Sequence, residues 1–222
     1  MEEKTIQEIK DDIEAQMKFL RKPLFTSIAA PDLDWYLNAW LHVDWDVYAE
    51  GYKKGGDILV QYVIDNDWDQ DFLVYQIVFM YRQYLELRLK ELIHVSSRLL
   101  DQNIDIPRDH NLLSLWSKVS PNIEQVWPDS QTKRHLEAIK DRLEELCSID
   151  PRSYAFRYPE DTKGAPTLAG MEYINLRRLK DVVQAISNVL DGSSLGMGEY
   201  LNAKHEMMAE YRAEMAQYGE YY

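Results

Sequence analysis

From Asp71 to Leu100 the chain runs for thirty residues without a glycine or a proline. Its first stretch, Phe72-Leu73-Val74-Tyr75-Gln76-Ile77-Val78-Phe79-Met80-Tyr81, is apolar nearly all round. A run of that length reads as a helix of about 45 Å at 1.5 Å per residue. A helix apolar on every side has to sit in the middle of a bundle. The rest of the chain follows the same habit. Only 9 glycines and 8 prolines punctuate 222 residues, and the intervals between them carry apolar side chains every three to four positions. These features predict an all-α fold, an up-and-down helical bundle with extra N- and C-terminal helices and one long ordered loop. The length favours a single helical domain over residues 1–222, with a core at about 70–190.

A first helix is expected from Thr5 to Arg21, opened by a capping box of Thr5 and Glu8 and carrying Ile6, Ile9, Ile13, Met17 and Leu20 on one face. Pro31 and Asp32 start a second helical stretch with Trp35, Leu37, Trp40, Leu41, Val43, Trp45 and Tyr48, which Gly55-Gly56 interrupt before Ile58–Ile64 resumes. These N-terminal helices, 5–65, are aromatic and acidic: from Asp32 through Asp71 ten acids face only Lys53 and Lys54. After the long helix, Ile104–Pro107 reads as a linker, and Asp109 as the cap of a short helix from His110 to Val119 that Pro121 ends. Ser130 is expected to cap a helix bearing His135, Leu136, Ile139, Leu143 and Leu146. Asp150–Gly170 lacks a helical period, and its alternating Tyr154, Phe156 and Tyr158 suggest a short extended piece packed on the bundle. Helix returns from Asn175 to Leu190, with Gly192 as its stop, and a polar, methionine-rich, acidic last helix follows at about 195–218.

The formal charge of -13 argues against a protein that coats nucleic acid or anionic membrane indiscriminately, so any RNA contact must be local. Six bases against five acids between Arg82 and Lys118, with Arg177, Arg178 and Lys180 further on, leave two readings: a basic groove, or a solvated face of mixed charge. The single cysteine, Cys147, sits among Leu143, Leu146 and Ile149 and reads as a small buried apolar residue. With no disulfide framework, no leader and no long apolar span, a cytoplasmic protein with no membrane contact is expected. Glu91 and His94 have the Glu-x-x-His spacing of di-iron bundles, but no other histidine has an acid three residues before it. Asp65, Asp67 and Asp69 open like a calcium loop, yet Gln70 and Gln76 stand where glycine and glutamate are needed. No metal and no cofactor is expected.

Tyr84-Leu85-Glu86-Leu87-Arg88-Leu89-Lys90-Glu91-Leu92-Ile93, followed after a loop by His110-Asn111-Leu112-Leu113-Ser114-Leu115, resembles the HEPN superfamily of helical bundles. There, a helix with Glu and Lys a few residues apart precedes a short helix opening on His-x-Leu-x-x-Leu. Ser153-Tyr154-Ala155-Phe156-Arg157-Tyr158-Pro159-Glu160-Asp161, with Gly164, also looks like a segment of bacterial members of that group. The resemblance implies a four-helix core, a homodimer and, in many members, metal-independent RNA cleavage in bacterial stress, toxin–antitoxin or phage defence. Such members carry an arginine and a histidine with four to six residues between them, the imidazole as acid or base and the guanidinium steadying phosphorane charge. Arg88 and His94 have that spacing and are the implied catalytic pair, with His110, Arg157, Arg177 and Arg178 as candidate RNA or partner contacts. Read as residues alone, Arg88 and His94 are a partly exposed base and a helix-surface or core-edge histidine with an ordinary hydrogen-bond partner. The rival function is a noncatalytic protein-interaction or dimerisation module whose acidic, Trp-rich segment and methionine-rich last helix bind a protein partner or a second copy of the chain.

Overall fold

The structure is a computed structural model that describes residues 41–219, together with Gln7, Glu8, Asp11 and Ala39. The chain divides into two compact units, Met1–His42 and Val43–Tyr222. The expected Thr5–Arg21 helix and the segment with Trp35 and Trp40 lie outside the described residues, apart from Gln7, Glu8 and Asp11, which are helical.

Five helices make up the described part of the second unit: α1 Trp45–Asn66, α2 Gln70–Leu99, α3 Leu112–Val126, α4 Ser130–Ile149 and α5 Leu176–Gly219. No strand occurs among the described residues, only one isolated bridge between Glu160 and Pro166. The all-α helical bundle is therefore as expected, and no helix among the described residues is long and apolar enough to cross a membrane. α2 is the central element and packs against α1, α3 and α5, while α4 leans on α3. Its buried stretch is displaced from the one expected. Phe72 and Tyr75 are exposed, and the fully enclosed positions run from Ile77 to Ser97, polar residues among them.

The short α1–α2 turn is made by Asp67 and Asp69, both in the left-handed region at φ 50° and 66°, where aspartate is tolerated better than most side chains. Gly55-Gly56 does not interrupt α1. A Cβ on Gly56 would lie 2.8 Å from the Tyr81 ring, so this glycine is a notch that lets α1 press against α2, and that packing outweighs the intrinsic cost of glycine in a helix. Pro121 likewise sits inside α3 and does not end it. Buried Asn122 donates to Ser96 Oγ at 2.8 Å and accepts from Gln102 at 3.1 Å, and Ile123 is buried beside it, so tertiary contacts carry the helix past the missing N–H.

Helix starts shift by a residue or two for reasons of capping. Asn111, not Asp109, caps α3, its side chain accepting from Leu113 and Ser114 N–H groups, and Asp109 supports it by accepting from Asn111 N and Ser114 Oγ. Asp129, not Ser130, caps α4 through bonds from Gln131 and Thr132 N–H groups. Gly192 is no stop: α5 passes through it for 44 residues, about 66 Å at 1.5 Å per residue. Cys147 is buried and free on α4.

The segment from Asp150 to Asn175 is an ordered loop, but the alternating aromatics are not extended. Tyr154 O accepts from Arg157 N, folding 154–157 into a turn, so Phe156 goes inward against Val78 while Tyr158 faces out. Asp150 anchors the loop by accepting from Tyr154 N at 2.6 Å and Ala155 N at 3.1 Å.

Candidate functional site

α2 brings three kinds of polar arrangement to the surface or the core. The first surrounds Arg88, whose guanidinium is 2% exposed. It contacts Asp46 at 2.7 Å, Glu50 at 2.8 Å, Glu91 at 3.3 Å and Asp191 at 2.7 Å, so one cation joins α1, α2 and α5. Its Nε lies close to Asp191 without the alignment of a hydrogen bond. Burial works against the charge on Arg88, but the bond to Asp46 and the carboxylates of Asp191 and Glu91 outweigh it and hold the guanidinium more firmly protonated. Glu91 is pushed up by burial, although Ser194 Oγ donates to it at 2.7 Å.

His94 is exposed. It lies six positions after Arg88, which on a helix is about 240° round the axis, so the structure does not bring the two side chains to one groove. The reading of Arg88 as a partly exposed base is corrected too, since the guanidinium is enclosed by carboxylates.

The second arrangement joins residues that the sequence marked only through the family resemblance, and Arg82 was not among them: Arg82, Glu86 and Lys90, spaced i, i+4, i+8, put three charges on one face of an otherwise apolar helix. All three are buried. Glu86 accepts from Lys90 at 2.9 Å, Arg82 at 3.2 Å and His110 Nδ1 at 2.8 Å. Arg82 also donates to His110 O at 2.7 Å and Asp150 O at 3.2 Å, so it pins the end of the loop before α3 and the start of the loop after α4. Burial pushes the Glu86 carboxyl up, but hydrogen bonds from Lys90 and His110 bring it below its ordinary value. His110 keeps 61% of its side chain in solvent. The bond from its Nδ1 to Glu86 leaves Nε2 outward, an oriented imidazole with no second catalytic group bonded to it. With Arg82, Arg88 and Lys90 all internal and paired, the basic groove considered for Arg82–Lys118 loses half its bases.

The third arrangement is a surface at the α1–α2 corner. Trp68 is 70% and Phe72 74% exposed, and Tyr62 and Tyr75 are exposed beside them. Asp65, Asp67 and Asp71 are exposed among these rings, Asp69 accepts from Tyr62 OH at 3.3 Å, and no lysine or arginine occurs between Lys54 and Arg82. The corner leads into a groove of about 1030 Å³ between the start of α2 and the 150–175 loop, walled by Asp71, Tyr75, Tyr158, Glu172 and Tyr173. Arg157 lies in this groove with its guanidinium 5.7 Å from both the Phe79 and the Tyr158 ring centres, and its Nε donates to Ser153 O. Arg177 and Arg178 are exposed at the start of α5 and, among the described residues, have no carboxylate in ion-pair contact.

Among the described residues no three His, Cys, Asp or Glu side chains are grouped so as to hold a metal ion. Comparison with known proteins finds no matching family model, no matching curated protein and no matching solved structure.

Proposed function

We propose that this chain is a HEPN-like helical module that works by gripping a protein partner at the α1–α2 corner. The observation that carries the reading is the exposure of Trp68, Phe72, Tyr62 and Tyr75 among Asp65, Asp67, Asp69 and Asp71, in a segment with no lysine or arginine from Gly55 to Tyr81. Large exposed rings in one patch are what protein interfaces use as anchors, and a single sign of charge around them selects the partner. The matching chemistry is a lysine- or arginine-rich segment with apolar side chains. The HEPN likeness is supported by Glu86, Lys90 and His110, three residues that carry it, meeting at one carboxylate. In the stress or defence setting of that group the module would act as an adaptor.

The test is fluorescence anisotropy of a labelled extended peptide alternating lysine with leucine and tryptophan, against an analogue with glutamate for lysine. The full chain is expected to bind the basic peptide and not the acidic one, and Trp68→Ala with Phe72→Ala to weaken binding at least about tenfold, the loss of two hot spots. A parallel arm incubates the chain with labelled RNA in chelator. Cleavage abolished by His94→Ala would overturn the adaptor reading in favour of the endoribonuclease, and basic-peptide binding unchanged in the double variant would overturn the α1–α2 corner as the gripping surface.

A further inference from the structure

Glu86 and His110 form a pair whose two halves see opposite surroundings. The Glu86 side chain is 2% exposed and that of His110 61%, and His110 Nδ1 lies 2.8 Å from Glu86 Oε1. Lys90 holds the same oxygen at 2.9 Å and Arg82 holds Oε2 at 3.2 Å, so the carboxylate cannot turn away. Those bonds keep Glu86 ionised, and an ionised carboxylate only accepts, so Nδ1 is the donor. The backbone behind the ring is fixed as well, because His110 O accepts from Arg82 at 2.7 Å and the next residue, Asn111, caps α3. In the neutral imidazole one nitrogen carries the hydrogen and the other a lone pair, which places the lone pair on the outward Nε2. Among the described residues, none of the other four histidines, His42, His94, His135 and His205, has a hydrogen-bonded ring nitrogen.

We propose that His110 Nε2 is a phosphoryl-acceptor site that takes its phosphoryl group from an acyl phosphate. The ring has what a nucleophile needs, a lone pair aimed at solvent with a carboxylate behind it. Apart from Glu86, no acid or base is bonded to it among the described residues, and it lies on no wall of the groove beside Arg157. Such a residue carries a group rather than processing a bound substrate. In the step, the Nε2 lone pair forms a bond to phosphorus while the bond from phosphorus to the acyl oxygen breaks, and that oxygen leaves with its electron pair as a carboxylate. The class of donor follows from the lack of an acid to protonate the leaving group: a carboxylate is stable without a proton at neutral pH, whereas an alkoxide is not. No proton moves. Nδ1 keeps its hydrogen, the ring becomes a cation, and the Glu86 carboxylate lies against that charge. The phosphoryl group is added next to the N-terminal end of α3, where the helix dipole favours negative charge. His110 is thus the acceptor and Glu86 a positioning residue. The inference does not rest on the function proposed for the α1–α2 corner.

The test incubates the full chain with acetyl phosphate, follows the phosphorus by NMR and locates it by mass spectrometry of peptides. A single phosphoryl group is expected on Nε2 of His110, stable in alkali and lost in acid as an N–P bond is. The other four histidines should be labelled at least about tenfold more slowly, the size of effect that an orienting partner has on an imidazole. His110→Gln should abolish the labelling. Glu86→Gln should slow it at least about tenfold at a temperature where circular dichroism shows the variant folded. A measurement on wild type alone gives a second reading: nitrogen NMR should find the hydrogen of the neutral His110 ring on Nδ1. Trp68→Ala with Phe72→Ala should leave the labelling unchanged, so failure here and failure at the corner are distinguishable. Phosphorus spread evenly over the five histidines, its absence from His110, an unchanged rate in folded Glu86→Gln, or a hydrogen on Nε2 of the neutral wild-type ring would each overturn the proposal.

Discussion

Arg88 shows how one side chain can be essential to a fold while offering nothing to a ligand. Replacing it with methionine leaves Asp46, Glu50, Glu91 and Asp191 facing one another around an apolar stem. Removing one partner of a buried ion pair costs about 3 kcal/mol or more. Asp46 and Glu50 are more than half exposed and recover water, so the low end of that range is expected, read by urea unfolding. Arg88→Lys should restore little, because one ammonium cannot reach three sides as a planar fork does. His94→Ala, at an exposed site, should stay within about 0.5 kcal/mol of wild type. Glu86 sets a different sign of response. Its carboxyl is held below the unfolded value, so the unfolded chain binds the proton more readily. Its stabilisation is therefore complete above the ordinary carboxylate range and is lost as pH falls through the folded value. Glu86→Gln is expected to lower stability at neutral pH and to flatten the fall between about pH 5 and 3. Glu91, which burial pushes up, acts in the opposite sense in both proteins and cancels in the comparison.

At the scale of elements the glycines carry the lesson. Gly56→Ala drives a methyl to 2.8 Å from Tyr81 and should destabilise by about 1–3 kcal/mol, as overpacked sites do. Gly51 and Gly192 meet nothing within 4 Å inside α1 and α5, so alanine at either should stabilise by about 0.5–1 kcal/mol. Thermal unfolding of the three variants checks both signs. A gain at Gly192 is also the direct mark of a helix that continues where a stop was expected. α2 was legible to within a residue at each end because thirty unpunctuated residues leave no other local solution. Gly55-Gly56, Pro121 and Gly192 were misread because punctuation is a local preference of about 1 to 3 kcal/mol that packing against Tyr81, Ser96 or the bundle overrides. For the candidate site the legible part was the acidic aromatic segment. Its composition marked it, but only the turn at Asp67 and Asp69 shows that Trp68 and Phe72 stay in water while Trp116 is buried. The burial of Arg82, Glu86 and Lys90 as one network was not legible, because charges inside an apolar helix look like surface until their partners, His110 and Asp150, arrive from far along the chain.

For the whole molecule the excess of acid works on folding and on binding with opposite signs. A net charge of -13 repels itself in the compact state, and the exposed aspartates at the α1–α2 corner and glutamates on α5 lie where solvent ions reach them. The ion pairs that hold the core do not: Arg82 with Glu86 is enclosed, and the Arg88 guanidinium is buried, so salt screens them far less than it screens surface repulsion. Raising sodium chloride from about 0.05 to 0.5 M, which shortens the screening length from well over 10 Å to below it, should therefore raise the melting temperature, by about 2–4 °C for each kcal/mol of repulsion removed. Over the same range the basic peptide should bind the α1–α2 corner progressively less tightly, because the attraction being screened is the one that draws it in. The two titrations, one by calorimetry and one by anisotropy, share a cause and must move apart. A melting temperature that falls with salt would mean that exposed pairs such as Lys140–Glu144 and Arg142–Glu145 outweigh the surplus acid. Peptide binding indifferent to salt would mean that the rings alone, and not the charge around them, choose the partner.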